Sequence, residues 1–194
     1  MANDRNEFTN SAVGAGFRYF FQRSLRAQLR AEIHEQFSRF LSFGLPMDHV
    51  NGHLHLHLHP VIFSILMQDA AQLHISHVRL TRDPFLLNLK LASGRLFYRA
   101  SHALIFSSLA AAARPKLQQR HFKHTERVFG LLQNADVTEK YVSQLLEHLP
   151  AGDSELYSHP SVDDFRAEFE ALISPRVCGQ IKALGIELIR YQDL

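Results

Sequence analysis

Apolar residues recur at every fourth position between Leu25 and Leu41. Charged residues fall off this stripe, so the pattern predicts a long amphipathic helix that begins near Arg23. Gly44 suits the position just beyond a helix C-terminus, and Pro46 prevents the helix from restarting. The stripe consists of Leu25, Leu29, Ile33, Phe37 and Leu41.

The apolar period changes to two from His53 to His59, where histidine alternates strictly with leucine. Residues two apart share a face in a strand, so a strand would carry four imidazoles on one face and three leucines on the other. A helix would scatter the imidazoles around its circumference. We therefore predict a strand that ends at Pro60, which has no N–H to donate.

Shorter patterns beyond Pro60 alternate between helix and strand. Thr138 and Ser174 are suited to cap the N-termini of two later helices. The alternation, with short connections, is typical of parallel βα units in which chemistry lies at the C-terminal ends of strands. No repeat or linker divides the sequence, so we predict a single domain over residues 1–194. The patterns predict a helix over 61–73 and strands over 77–80, 128–131, 154–158 and 186–189.

Composition narrows the function classes. A net charge of +2, with basic residues spread along the chain, argues against a nucleic-acid partner. Cys178 is the only cysteine, which rules out a disulfide within the chain and fits a reducing cytoplasm. Residues 1–11 are polar and predict no secretory leader, and the apolar run over 100–113 is too short and too polar for a membrane span. We predict a cytoplasmic protein without a transmembrane segment, and an amphipathic surface helix over 100–113 stays open.

The histidine run is the strongest chemical signal, because neutral imidazole binds metals and titrates near neutral pH. A solvated polar strand and an adventitious metal-binding tract are the simpler explanations. We favour a functional histidine face in which one or two imidazoles bind a metal ion and the others hold substrate, water or one another.

Several motifs, taken in order, resemble those of a known family. The histidine run, the later His159-Pro160 and the tail from Ala171 to Leu194 together resemble the YdjC-like carbohydrate deacetylases. The histidine run is most similar to the branch associated with hopanoid biosynthesis, and the resemblance covers almost the whole chain. The motifs are residues 46–60, Val-Arg-Leu-Thr-Arg-Asp-Pro at 78–84, Phe-Gly-Leu at 129–131 and Glu-Leu-Tyr-Ser-His-Pro at 155–160.

The resemblance implies an α/β fold, an incomplete (β/α) barrel of the polysaccharide-deacetylase type. It implies a metal-dependent hydrolase that removes an acetyl group from an N-acetylated amino sugar, such as a glucosamine linked to a hopanoid lipid. In such enzymes one aspartate and two histidines hold a divalent ion, Mg²⁺ or Zn²⁺. A lipid-linked substrate and a homo-oligomer both stay open.

The same resemblance assigns roles to individual residues. Asn51 stands where the family often has aspartate, which weakens an acidic role there, and Arg79 is nearly as well explained as a surface arginine. The matched residues are His53 as metal ligand, His57 and His159 as catalytic groups, and Asn51, His55 and Arg79 as substrate contacts.

Two family motifs do not occur in this sequence: an Asn-Ala-Asp-Asp-like strand end and a Gly-Leu-His-Leu-like motif. Asn134-Ala135-Asp136 is a superficial echo that follows the histidine run instead of preceding it. We therefore interpret the chain as the C-terminal portion of a deacetylase that lacks the N-terminal strands of the family. The alternative to an enzyme is a non-catalytic remnant that binds a sugar, a lipid, a metal ion or a partner chain.

Overall fold

The computed structural model describes Gly14, Tyr19 and residues 21–194. Residues 1–11, on which the prediction of no leader rests, lie outside this part. Two compact units divide the described residues. The first unit runs up to Arg79 and includes Ala113–Lys123, and the second comprises Leu80–Ala112 and His124–Leu194.

The first unit opens with helix α1, Leu25–Leu41, which confirms the helix predicted from the four-residue period. Leu29 and Ile33 are buried on its apolar stripe. The N–H of Gly44 donates to the carbonyl of Leu41, and Gly44 adopts a φ of +68°, a conformation that glycine accepts without a steric cost. The glycine therefore ends the helix as the sequence predicts.

Three extended segments of the first unit lie side by side. Val50 pairs in parallel with Val78, and His77 pairs in parallel with Lys123. The N–H of Val50 donates to the carbonyl of His77 at 2.9 Å, and the N–H of Val78 to that of Lys123 at 3.0 Å. The predicted parallel arrangement is confirmed at these segments, although the strand predicted over 77–80 is reduced to single bridges.

The histidine run is not a strand, and this prediction was wrong. Residues His53–Leu58 form a 3₁₀ helix in which Leu54 and His55 adopt left-handed φ angles of 52° and 57°. His53 and Leu54 are exposed, whereas His55, His57 and Leu58 are buried. The segment coils because the ring of His57 forms hydrogen bonds with the backbone N–H of Gly52 and the backbone carbonyl of Arg79. The predicted common face of four imidazoles therefore does not form.

Helix α2, Pro60–Gln68, follows directly and is shorter than the predicted 61–73. The ring of His59 caps its N-terminus by accepting a hydrogen bond from the N–H of Val61. At its C-terminus, Asp69 forms an ion pair with Arg30 at 2.9 Å and accepts a hydrogen bond from His34 at 2.7 Å. These contacts join α1 to α2.

The second unit is rich in helices and holds one short sheet. Strand β1, Arg127–Phe129, pairs in parallel with β2, Ser154–Leu156, which confirms two predicted strands in shortened form. Helix α4 extends beyond this unit, since its residues from Ala113 onward belong to the first unit. The helices are α3 (Phe85–Leu91), α4 (Leu96–Gln119), α5 (Glu139–Glu147), α6 (Arg166–Ile173) and α7 (Pro175–Ala183), and a 3₁₀ turn spans Tyr191–Asp193.

The helix caps predicted at Thr138 and Ser174 are confirmed. The hydroxyl of Thr138 accepts a hydrogen bond from the N–H of Tyr141, and the hydroxyl of Ser174 accepts one from that of Val177. The strand predicted over 186–189 was wrong. The N–H of Ile186 instead donates to the carbonyl of Ile181 and closes α7, so the chain turns away at the end of the helix.

A buried polar network lies inside the second unit, and we call it the Asp83 network. Asn88 donates to Asp83 at 2.8 Å and to the hydroxyl of Tyr141 at 3.2 Å. Arg99 donates to the backbone carbonyls of Asn88 and Ala92. The N–H of Leu132 donates to the second oxygen of Asp83 at 3.0 Å. The network consists of Asp83, Asn88, Arg99, Gln133 and Tyr141, all of them buried.

Candidate functional site

The candidate site lies in the first unit, where two parallel extended segments end. Asn51 follows Val50, and Arg79 follows Val78. Both valines are buried, so the backbone that carries the polar residues is anchored in the core. Asp48, His49 and His77 precede these valines, so polar residues flank the paired positions on both sides. We call the group formed by Asp48, His49, Asn51, His57 and His77 the Asp48 cluster.

Asp48 and His49 form a hydrogen-bonded acid–imidazole pair. The Nδ1–H of His49 donates to Oδ2 of Asp48 at 2.9 Å, which leaves the lone pair on Nε2. That nitrogen accepts a hydrogen bond from the amide of Asn51 at 3.0 Å. The carboxylate fixes the tautomer of the ring and stabilises the imidazolium that forms when Nε2 takes a proton. The pair is therefore chemically suited to general acid–base work.

The second oxygen of Asp48 is in an unusual position. Oδ1 is buried and has no hydrogen-bond partner among the described residues, although 43% of the whole side chain is exposed. Leaving a buried acceptor unpaired costs about 1–3 kcal/mol. A hydroxyl or N–H group of a bound molecule would remove this cost, so Oδ1 is a candidate acceptor for a ligand.

His57 is fully engaged within the protein. Its Nδ1 accepts a hydrogen bond from the N–H of Gly52 at 3.0 Å, and its Nε2–H donates to the carbonyl of Arg79 at 2.8 Å. Burial lowers the pKa of His57 to about 4, against a smaller raising effect of the Arg79 carbonyl, so the ring is neutral. Its observed role is to position the loop, and its predicted catalytic role stays a prediction.

Gly52 allows this close packing. A Cβ at position 52 would lie 2.9 Å from the backbone nitrogen of His57, closer than real Cβ atoms approach. The glycine is therefore needed for the turn that brings the His57 ring back onto the backbone.

His77 completes the cluster on the neighbouring segment. Its pKa is lowered, chiefly by desolvation, while the Asp48 carboxylate acts in the opposite direction. The positive charge of Lys123 adds to the lowering. The Asp48 carboxylate therefore influences two imidazoles, one by a hydrogen bond and one through its charge.

The remaining predicted imidazoles of the histidine run point in different directions. His53 is exposed, so it does not share a face with buried His55 and His57 as the predicted strand requires. His55 is buried, with its ring centroid 6.2 Å from that of His57 in an edge-to-face arrangement. The roles predicted for His53 as metal ligand and His55 as substrate contact stay predictions.

His159 belongs to the second unit, where it follows β2. Its ring is about half exposed, and Nδ1 lies 4.0 Å from the carboxylate of Glu168. The backbone N–H of His159 donates to the same carboxylate, which also accepts from the N–H of Val137 at 3.1 Å. Buried Glu168 thus holds the turn at His159 and leaves the imidazole facing outward.

The metal site implied by the resemblance, with Mg²⁺ or Zn²⁺ as the ion, stays a prediction. No group of three or more histidine, cysteine, aspartate or glutamate side chains within it is arranged to hold a metal ion. We therefore assign no chemical step to a metal.

No helix in the described ranges has the length and apolar character needed to cross a bilayer.

Sequence reasoning gave no role to Asp48, His49 or His77. The sequence signal that could have identified them is the adjacent pair Asp48-His49, which comes directly before Val50 and the histidine run. Its importance depends on the pairing of Val50 with the segment at His77, a contact between residues far apart in sequence.

Comparisons with known proteins agree with the motif pattern. The sequence pattern of the family described as YdjC-like protein matches residues 2–183. A carbohydrate deacetylase of Geobacillus stearothermophilus is 39% identical over 59 residues, a stretch that covers 29% of this chain and 24% of that protein. The matched stretch thus spans about a quarter of the length of this curated relative.

The structural comparison supports a mixed α/β fold, rich in helices and with few strands. A crystal structure from Enterococcus faecalis, described as a cellobiose-phosphate cleavage protein, superposes with a TM-score of 0.66. The alignment covers 99% of this chain and 67% of the other, at 14% identity. At this identity the likeness concerns the fold alone.

Proposed function

The chain belongs to the YdjC-like protein family, and on this premise we propose that it acts as a carbohydrate deacetylase. The reaction is hydrolysis of the acetamide on an N-acetylated amino sugar to acetate and a free amine. The observation that carries the proposal is the Asp48–His49–Asn51 chain of hydrogen bonds, which flanks Val50 on the first of the paired segments. The deacetylase name of the curated relative supports the same reaction class.

Acetamide hydrolysis requires two proton transfers. The attacking water loses a proton as its oxygen bonds to the carbonyl carbon, and the amine gains one as the C–N bond breaks. We assign both transfers to Nε2 of His49, with Asp48 stabilising the imidazolium in between. The amide of Asn51, which bonds Nε2, would move aside to contact the substrate.

The remaining groups of the cluster suit a polar sugar. Oδ1 of Asp48, which has no partner among the residues that the structure describes, is an acceptor for a sugar hydroxyl. The cation of Arg79, on the neighbouring segment, suits the negative charge that develops on the carbonyl oxygen. We propose Asn51, His55 and Arg79 as substrate contacts in the first unit. The proposed catalytic roles of His57 and of His159, which belongs to the second unit, rest on the resemblance of the motifs.

Three finer proposals rest on the resemblance of the motifs. The first is a barrel of the polysaccharide-deacetylase type, and the second is a glucosamine carried by a hopanoid lipid as substrate. The third is binding of Mg²⁺ or Zn²⁺ with His53 as one ligand. Metal analysis of the purified protein, and of His53→Ala, tests the third proposal directly.

The test of the deacetylase proposal is acetate release from N-acetylglucosamine conjugates. The assay uses this chain and a form extended upstream to include the aspartate and histidine motifs of the family, each with and without added Mg²⁺ or Zn²⁺. We expect acetate and free amine in equal amounts. Folded protein that releases no acetate from any acetylated sugar, in either form, would contradict the proposal.

A non-catalytic sugar-binding protein is the second candidate. The absence of a three-ligand group among the described residues favours it. Calorimetric titration separates the two candidates, because this alternative predicts heat of binding with N-acetylglucosamine conjugates and no acetate release.

A further inference from the structure

An open cleft lies in the first unit, between the residues at the end of α2 and those at the end of α4. Its volume is about 370 Å³, which is in the range of small-molecule sites. The buried part of its lining is apolar and consists of Met67, Ala70 and Ile75. Arg120 and His121 also line it and are exposed. We call it the α2–α4 cleft, and it combines an apolar interior with a polar rim.

Backbone hydrogen bonds hold the two sides of the cleft in place. The N–H of Ile75 donates to the carbonyl of Ala70 at 2.9 Å and closes the turn that follows α2. The N–H of Lys123 donates to the carbonyl of Ser76 at 3.0 Å and joins this turn to the segment that follows α4. The cleft is therefore formed before any ligand arrives, and a ligand would not have to order its walls.

Arg120 presents a free edge of its guanidinium group. Its Nη1–H donates to the carbonyl of Met67, in the last turn of α2, where carbonyls lack partners within the helix. This bond fixes the guanidinium plane. Nε–H and Nη2–H lie on another edge of the group, and neither has a partner among the described residues. Two parallel N–H groups of this kind match the two oxygens of a carboxylate.

His121 occupies a position that favours glycine. The N–H of Phe122 donates to the carbonyl of Leu117 at 2.9 Å, and that of His121 to the carbonyl of Gln118 at 3.1 Å, so α4 ends in a Schellman motif. His121 accordingly adopts a left-handed φ of 57°, at a steric cost that glycine would avoid. Its ring has no hydrogen-bond partner in the described part of the chain. The imidazole is therefore a second donor that a ligand in the cleft can use.

The charge of the lining suits one negative group. Among the described residues that line the cleft, Arg120 is the only Lys or Arg, and none is Asp or Glu. Asp69, which lies between two lining residues in sequence, is already paired with Arg30 and His34. A single fixed cation balances the one charge of a carboxylate and leaves a phosphate dianion partly uncompensated.

We propose that the α2–α4 cleft binds a small organic carboxylate, with its oxygens on Arg120 and His121 and its hydrocarbon part on the apolar lining. The proposal is independent of the deacetylase reaction, because none of the five described residues of the Asp48 cluster lines the cleft. The two sites are neighbours. The hydroxyl of Ser76, which lines the cleft, forms a hydrogen bond of 2.8 Å with Nδ1 of His77.

Titration of hexanoate into the isotope-labelled full chain, followed by the amide chemical shifts in NMR spectra, tests the proposal. We expect saturable shifts at Ser76, His121 and Phe122. Hexanol has the same apolar body without the charge and should bind roughly tenfold or more weakly. The proposal is wrong if hexanoate gives no saturable shift at these residues or if hexanol binds equally well. Tighter binding of hexyl phosphate than of hexanoate would overturn the choice of a carboxylate.

Variants at the rim test the two donors. Arg120→Gln should weaken hexanoate binding roughly tenfold or more, because the cation is lost. Arg114→Gln, on the same helix but outside the lining, is the matched control and should bind as the unmodified chain does. His121→Gly should weaken binding and yet melt no lower than the unmodified chain, since glycine accepts the left-handed turn. Binding by Arg120→Gln as tight as that by Arg114→Gln would contradict the proposal.

A second pair of variants tests the space inside the cleft. Ala71 lines the cleft, whereas the adjacent Gln72 does not, and both are exposed. Ala71→Leu should therefore fill part of the cleft and weaken hexanoate binding, and Gln72→Leu should leave it unchanged. Circular dichroism melts establish that the variants are folded. Equal binding by folded Ala71→Leu and Gln72→Leu would show that hexanoate does not occupy the cleft.

Discussion

The Asp48 cluster and the Asp83 network contain similar side chains in opposite conditions. In the Asp83 network all five residues are buried, and their polar groups form hydrogen bonds with one another and with the backbone. The exception is Nε of Arg99, which has no partner within the described residues. In the Asp48 cluster the acid–imidazole pair lies partly in solvent, and Oδ1 of Asp48 has no hydrogen-bond partner in the described part of the chain. The first arrangement holds the second unit together. The second has capacity left for a ligand, and this difference is why we place the chemistry there.

Burial acts on the two regions in opposite electrostatic directions. It lowers the pKa of His57 to about 4, and it raises the pKa of Asp83 to about 6. Each group is thereby kept neutral more readily than in the unfolded chain. The contributions of His57 and Asp83 to the free energy of unfolding should therefore change with opposite signs when the pH changes.

The largest expected effect is on the closed network. Arg99→Leu removes the donor to the carbonyls of Asn88 and Ala92 and leaves Asp83 without its nearby cation. The free energy of unfolding should fall by about 3–5 kcal/mol, as when one partner of a buried charged group is removed. Urea denaturation measures this change. Arg95→Leu, at an exposed position four residues earlier, is the matched control and should change the value by less than about 1 kcal/mol.

The next effect is an acid-side loss of stability that depends on His57. The unfolded chain takes up a proton near pH 6.5, whereas folded His57 does so only near pH 4. The contribution of His57 to the free energy of unfolding is therefore complete above pH 6.5 and falls by about 3 kcal/mol as the pH drops to 4. Urea denaturation of His57→Gln across this range should show a smaller loss than the unmodified chain. Equal losses in both proteins would contradict the burial of a neutral ring.

Asp83 should give the opposite slope in nearly the same window. Its pKa rises from 3.8 to about 6 on folding, so its contribution is complete below pH 3.8 and is lost as the pH rises to 6. The predicted size is about 3 kcal/mol. Asp83→Asn removes this loss of stability at rising pH. The free energy of unfolding of the variant should therefore increase more between pH 4 and pH 7 than that of the unmodified chain. The same denaturation series provides the comparison.

A smaller effect concerns the turn that supports the Asp48 cluster. Gly52→Ala places a methyl group against the backbone of His57 and should lower the free energy of unfolding by about 2 kcal/mol. Gly179→Ala, within α7 and in open space, should raise it by about 0.5–1 kcal/mol, because alanine favours a helix. Thermal melts of the two variants should shift in opposite directions. A Gly52→Ala protein as stable as the unmodified chain would show that the turn tolerates a side chain.

The sequence predicts the elements whose causes are local. The period of four in α1, the glycine Gly44 that ends α1, and the hydroxyl caps at Thr138 and Ser174 each act within a few residues. These signals survive folding because no distant contact has to overrule them. The parallel pairing was likewise predictable from the order of helices and strands.

The histidine run shows where such reasoning fails. Its period of two is real in the sequence, but the ring of His57 binds the carbonyl of Arg79, 22 positions further along the chain. That contact, with the Gly52 turn, coils the segment and separates His53 from His57. His49 was overlooked for the same reason, because its setting depends on pairing between Val50 and Val78.

The most direct test of the central claim is the ratio of kcat/KM for acetate release between the unmodified protein and His49→Gln. The measurement uses whichever form of the protein releases acetate. The account predicts a fall of about 100-fold or more, because removing a general acid–base group typically costs that much, while exposed His148→Gln stays at the level of the unmodified protein. Asp48→Asn should fall in the same direction with the fold intact by circular dichroism. A folded His49→Gln protein as active as the His148→Gln control would contradict the assignment of the chemistry to the Asp48 cluster.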